Sequence, residues 1–116
     1  MEMMNRVAVI TGGSGGIGKA MAKAFLAEGA KTVVLADLNA DAVNAAAVEI
    51  GCSGKTCDVT NEAQVAALVN ETIAEHGKID LFCSNAGAGG AGLLTDAENE
   101  VWQMQWELHV MSHLYA

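Results

Sequence analysis

Positive charge is scarce in this sequence. Six Lys and Arg residues stand against 14 Asp and Glu, for a formal net charge of -8, and the basic residues are scattered. No footprint for a phosphate backbone is visible, which argues against a nucleic-acid partner. Proline is absent altogether, while glycine occurs 13 times and 52% of the 116 residues are hydrophobic. The chain therefore reads as a single α/β domain able to bury a core. No segment approaches the length needed to cross a bilayer. Glu2, Asn5 and Arg6 interrupt the apolar start, which runs into a glycine cluster rather than a small-residue cleavage site. No membrane partner and a cytoplasmic setting are the expectations. Cys52, Cys57 and Cys83 are odd in number and fit no paired metal-ligand pattern. Cys57 and Cys83 fall at or near strand ends as small buried hydrophobes, and neither a metal site nor a structural disulfide is expected.

One other absence is informative. Gly18-Lys19 is followed by Ala20, not by Ser or Thr, so the glycine cluster is not a nucleoside-triphosphate loop of the Walker type. What is present is Thr11-Gly12-Gly13-Ser14-Gly15-Gly16-Ile17-Gly18, directly after the apolar run Val7-Ala8-Val9-Ile10 and opening a helical pattern from Ile17 to Leu26. Strand, tight turn and helix in that order form a dinucleotide-binding unit. Gly12 permits the sharp turn, Gly16 lets backbone approach a diphosphate, and Gly18 lets the helix sit close to the sheet. The helix N-terminus offers unsatisfied N–H groups to phosphate oxygens. Lys19 is in reach of a phosphate or, as the more common fate, solvated on the helix.

The remaining elements alternate. Strands are expected over Arg6 to Ile10, Thr32 to Ala36, Lys55 to Val59 and Ile79 to Ser84. Helices are expected over Ile17 to Leu26, with Ile17, Met21, Ala22, Phe25 and Leu26 on its apolar face, over Ala40 to Ile50, and from a Thr60 cap to His76. A last helix begins near Asp96 or Glu98 and carries Val101, Met104, Leu108, Met111 and Tyr115 on one face. Strands separated by helices imply right-handed parallel crossovers, hence a Rossmann-like doubly wound sheet of order 3-2-1-4. The ligand crevice then lies at the carboxyl ends of strands one and four.

That topology gathers distant residues. Asp37 ends the second strand, 19 residues after Gly18, where a carboxylate accepts both ribose hydroxyls of an adenosine and repels a 2′-phosphate. The alternative for Asp37 is a solvated helix cap. Ser14 within the turn, and Leu38 and Asn39 after Asp37, supply no basic side chain, which favours NAD. Asp58 either accepts from an adenine amino group or caps the turn into the next helix. Asn85-Ala86-Gly87 suits backbone passing close to a cofactor while pinning neighbouring strands. Ala88 to Gly92 is either a loop near the reacting end or a plain connection.

These stretches together resemble the amino-terminal part of the short-chain dehydrogenase/reductase family. The matching residues are the Thr11 to Gly18 turn, Asp37, Cys57-Asp58-Val59 and Ser84-Asn85-Ala86-Gly87, supported by Asp80 and Trp106. The resemblance implies NAD(P)-linked interconversion of an alcohol and a carbonyl. It implies that Ser14, Gly15, Gly16 and Ile17 hold the diphosphate and nearby ribose, with Gly12 and Gly18 completing the cofactor-binding turn. Asp37 would serve the adenosine ribose, Asp58 and Val59 the adenine, and Asn85, Ala86 and Gly87 the cofactor wall, with Leu38 also in the cofactor-binding set. The family places a relay asparagine in the last helix, where this chain has His109, the catalytic candidate; histidine is able to relay protons, and an ordinary helix position is the alternative. The family's serine and tyrosine-lysine pair come from a further strand and helix beyond this one.

Residues 1–116 are accordingly expected to be the NAD-binding part of one domain, incomplete at the carboxyl end and inactive alone. The apolar edge Ile79 to Cys83 and the last helix, with Trp102, Trp106, Met111 and Tyr115, both call for a continuation or a partner. By resemblance, that helix belongs to a subunit interface of a homo-oligomer. Two other classes stay open: a non-catalytic nucleotide-binding module, and a methyltransferase-like domain, against which Ser84-Asn85-Ala86-Gly87 counts.

Overall fold

The computed structural model describes residues 2–86. Within them the chain runs β1 (Val7–Thr11), α1 (Gly16–Ala27), β2 (Thr32–Asp37), α2 (Ala40–Ile50), β3 (Ser53–Thr56), α3 (Glu62–His76) and β4 (Leu81–Cys83). The strands form one sheet of order β3-β2-β1-β4, and every pairing is parallel. The doubly wound order expected from the alternation of elements is the order observed.

Alternation along the strands splits the core between the two faces of the sheet. Ala8, Ile10, Val33 and Leu35 pack with Ala22 of α1 and Val43 and Ala46 of α2 on one face. Val9, Val34 and Ala36 meet Cys57, Val59 and, from α3, Val65 and Leu68 on the other. Because both faces are covered, β1 is buried along its full length and reads as a continuous apolar run rather than an alternating one. Each fully buried Val, Ile or Leu stabilises the fold by about 1.5–3 kcal/mol.

Local chemistry sets the boundaries. Asn39 caps α2 by accepting from the Ala42 N–H at 2.9 Å, and Gly51 closes it in the left-handed conformation. Asn61 caps α3 through the Gln64 N–H at 3.1 Å, and Gly77 ends it. The cap is therefore Asn61 and not Thr60, whose N–H and hydroxyl both bond Asp58 Oδ1 instead.

The third strand also differs from expectation. It covers Ser53–Thr56 rather than Lys55 to Val59, because the small polar residues pair with Val34 through Asp37 while Cys57 and Val59 turn under α3. A side chain at Gly54 would come within 2.9 Å of the Val43 carbonyl, so this edge strand reaches α2 only without one. The first strand runs one residue later than expected, and the fourth is shorter, Leu81–Cys83. Ile17 does not belong to the buried face of α1; it is 71% exposed, whereas Ala22 is buried as expected, and Gly18 with it.

At the amino ends of the strands, Asp80 joins β1 to the approach to β4. Its Oδ2 accepts from the Val7 N–H at 2.8 Å, with Arg6 Nη1 at 3.2 Å from Oδ1 and Lys78 Nζ at 3.1 Å from Oδ2. The Val7 N–H, then Lys78 and Arg6, hold the Asp80 carboxyl below the usual carboxylate range. A depressed carboxylate stabilises the fold fully above its unfolded pKa of about 3.9 and loses that stabilisation as pH falls through the lower folded value. Asp80→Asn should therefore lie below the parent in urea midpoint at pH 6, with the gap closing below about pH 4. A gap that stays constant to pH 2 would show that Asp80 is not the titrating tie.

Candidate functional site

The carboxyl ends of β1, β2 and β4 open into one cleft of about 620 Å³. It is lined by Gly12, Ser14, Gly15, Gly16, Ile17 and Gly18 from the first turn and helix, and by Asp37 and Leu38 after β2. Cys57, Asp58, Val59 and Thr60 line it from the segment after β3, and Asn85 and Ala86 from the segment after β4. Every described residue that the sequence singled out as a cofactor contact is on this wall. Gly87 and His109 lie outside the described residues, as do the last helix and its aromatic residues.

The glycines of the turn do different physical jobs. Gly12 sits at φ +67°, and a Cβ there would come within 2.9 Å of the Ala86 Cα, so the turn and the segment after β4 touch backbone to backbone. At Gly18 a Cβ would lie 2.5 Å from the Gly12 carbonyl, which sets how closely α1 approaches the turn. Gly13 faces Leu35, where a Cβ would stand 2.6 Å from the leucine Cβ. Gly16 is different: a Cβ there meets nothing within 4 Å, so its missing side chain leaves the cleft open rather than relieving a clash in the protein. It is also the first residue of α1, whose N-cap Gly15 makes no side-chain cap hydrogen bond, in contrast with the Asn-capped α2 and α3. The start of α1 thus faces the cleft with uncapped, partially positive N–H groups.

Asp37 is held by its neighbours. Its Oδ2 accepts from the Ser14 N–H at 3.0 Å and from the Ser14 hydroxyl, and its Oδ1 accepts from the Leu38 N–H at 2.8 Å. The Asp58 N–H donates to Gln64 Oε1 at 2.8 Å while Asp58 Oδ1 serves Thr60. Asp58 therefore does cap the turn ahead of α3, as one of its two readings held, and lines the cleft as well. Lys19 pairs with Glu49 of α2 at 3.6 Å and is not on the cleft wall. Among the described lining residues there are two carboxylates and no basic side chain. Leu38, 67% exposed, and Ile17 place apolar surface on the wall. Burial, with the Asp58 carboxylate beside it, pushes the Cys57 thiol up and away from reactivity.

Sequence reasoning missed three contributors. Thr60 and Cys57 line the cleft, although they read as a helix cap and a core residue. Thr11 works from behind it: its buried hydroxyl donates to the Cys83 carbonyl at 3.3 Å and accepts from the N–H groups of Asn85 at 2.9 Å and Ala86 at 3.2 Å. This ties the segment after β4 to the end of β1. The available signal was a polar residue closing an otherwise apolar strand.

Comparison with known proteins agrees with this geometry. A family model described as short chain dehydrogenase matches residues 6–116. The (-)-isopiperitenol/(-)-carveol dehydrogenase, mitochondrial, of Mentha piperita is 35% identical over 94% of this chain and 42% of its own length. The 7alpha-hydroxysteroid dehydrogenase of Escherichia coli K12 is 36% identical over 99% of this chain and 46% of its own. Among solved structures, a short chain dehydrogenase/reductase from Burkholderia phymatum in complex with NAD superposes with a TM-score of 0.94 at 32% identity, covering 99% of this chain and 42% of that one. A 3-ketoacyl-(acyl-carrier-protein) reductase from Brucella melitensis complexed with NADH gives 0.92 at 31% identity, with 97% and 47% covered. The chain spans less than half the length of each of these relatives. Glycine turn, sheet order and family model all lead to one assignment: the chain belongs to the short chain dehydrogenase family.

Proposed function

We propose that this chain is the NAD-binding portion of an oxidoreductase that interconverts an alcohol and a carbonyl by hydride transfer. The observation that carries the reading is the charge of the cleft, with Asp37 fixed at the end of β2 and no basic side chain among the described residues of the wall. A diol suits that carboxylate, and a phosphate monoester does not. The dinucleotide fits the residues present: the open space over Gly16 and the uncapped start of α1 suit a diphosphate. Asp37 would then hold the adenosine ribose, Leu38, Asp58 and Val59 the adenine, and Ile17, Asn85 and Ala86 the remaining wall. Solved relatives that hold NAD or NADH support the choice of dinucleotide. When bound, NAD supplies the hydride acceptor. The residues described here bind and orient it; the acid/base work belongs to the family's serine and tyrosine-lysine pair, and these 116 residues contain no lysine after Lys78. Relatives named for carveol and a hydroxysteroid support an alcohol or carbonyl as substrate.

The experiment compares NADH formation by the 116-residue chain and by a longer polypeptide that adds a strand and helix carrying that serine and tyrosine-lysine pair. Both should bind NAD, and turnover of a secondary alcohol should rise by at least about 100-fold in the longer form, the usual worth of acid/base assistance. Equal turnover would overturn the assigned chemistry. Binding without turnover in either form would favour a nucleotide-binding module without catalysis.

A further inference from the structure

We infer that Ser14 governs discrimination between the two nicotinamide dinucleotides by positioning the Asp37 carboxylate; the inference rests on the assignment of Asp37 to the adenosine ribose. The glycine turn and the end of β2 are joined at adjacent points. The Gly13 N–H donates to the Ala36 carbonyl at 3.0 Å, and Ser14 donates twice to one oxygen of Asp37, from its N–H at 3.0 Å and from its hydroxyl. The other oxygen accepts from the Leu38 N–H. An ionised carboxylate has about four acceptor positions, and the chain itself fills three of them. Both Ser14 donors fall on Oδ2, so the remaining capacity is on Oδ1.

This arrangement fixes the carboxylate as well as occupying it. Two donors on Oδ2 and one on Oδ1 set both the tilt and the plane of the group, and only one of the three donors is a side chain. Without the Ser14 hydroxyl, Asp37 keeps one backbone donor on each oxygen and gains freedom to rotate. A carboxylate that rotates is a poorer acceptor for a ribose diol, since alignment is lost. It is also less hostile to a 2′-phosphate, since it swings its charge aside. Among the described residues no cation on the cleft wall screens that repulsion, and Lys19 is engaged with Glu49. Discrimination therefore depends on how rigidly Asp37 is held. Ser14 acts as a positioning residue, working through Asp37 and not through chemistry of its own.

The test is a double-mutant cycle read by calorimetric titration with NAD and with NADP. The proteins are the parent, Ser14→Ala, Asp37→Ala and the double variant, with Ser14→Thr as the conservative replacement that keeps the hydroxyl. The NADP-to-NAD ratio of dissociation constants should fall about tenfold in Ser14→Ala, within the range for one hydrogen bond to a charged group. It should stay near the parent value in Ser14→Thr, and Ser14→Ala should leave it unchanged once Asp37 is alanine. An equal loss of affinity for both dinucleotides in Ser14→Ala, with the ratio intact, would reduce Ser14 to a support of the turn and overturn the inference. The same tenfold fall in the Asp37→Ala background would overturn it too, since Ser14 would then act independently. A parent without NAD preference, or an Asp37→Ala variant with an unchanged ratio, would instead remove the assignment of Asp37 itself.

Discussion

Gly16→Val should abolish detectable NAD binding while leaving the fold intact. The contrast with the other turn glycines makes this a sharp expectation. A side chain at Gly18 would meet the Gly12 carbonyl at 2.5 Å, and one at Gly13 would meet Leu35 at 2.6 Å, so substitutions there must move backbone or core. Overpacking of that kind costs about 1–3 kcal/mol. Gly16 has no such neighbour within 4 Å, and valine is tolerated in a first helical turn; on the proposed reading its side chain would compete with the diphosphate for the cleft that Gly16 lines. Affinity should fall by at least about 100-fold, equivalent to about 2.7 kcal/mol. The thermal midpoint should stay near the parent's, with Gly18→Val clearly lower. Calorimetry and thermal unfolding on the same samples separate the two effects. Undiminished NAD affinity in a folded Gly16→Val protein would place the diphosphate elsewhere.

Asp37→Ala should produce the second largest change, in selectivity more than in stability. The carboxylate keeps one acceptor position open, on Oδ1, for the ribose diol in the proposed complex, and a hydrogen bond to a charged group is worth about 1.5–3 kcal/mol. Removing it should weaken NAD by about tenfold to 100-fold. NADP should gain, because the like charge facing its 2′-phosphate is gone. The substitution also removes the link from the end of β2 to Ser14, but the Gly13 N–H bond to Ala36 remains to hold the turn. Parallel titrations with the two dinucleotides measure the effect. A variant that keeps the parent's preference would mean that Asp37 caps local backbone and nothing more.

The sequence reading succeeded where order along the chain determines position in space. A β-branched run, a glycine turn and a helical period recur with carboxylates at strand ends, and parallel crossovers bring those ends together. That is why Asp37, Asp58 and Asn85 were legible as neighbours. It failed where burial and secondary structure part company. Cys57 and Val59 are apolar because they fill the space under α3, yet they are not strand, and the strand beside them is the polar Ser53–Thr56. Ile17 satisfied the helical period of α1, but its position opens onto the cleft and not the core. The Ser14–Asp37 contact was not legible at all. It depends on the register that sets Thr11 opposite Ala36, and register between parallel strands leaves no local trace in sequence. The bridge from Thr11 to Asn85 and Ala86 has the same origin, being a side-chain bond across 74 residues or more.

Side-by-side calorimetric titration of the unmodified protein with NAD and NADP tests most directly whether the cleft at the ends of β1, β2 and β4 is built for a dinucleotide with a free ribose diol. The expected result is one site that binds NAD at least about tenfold more tightly than NADP, the margin of a single charged hydrogen bond. Equal or tighter binding of NADP would contradict it.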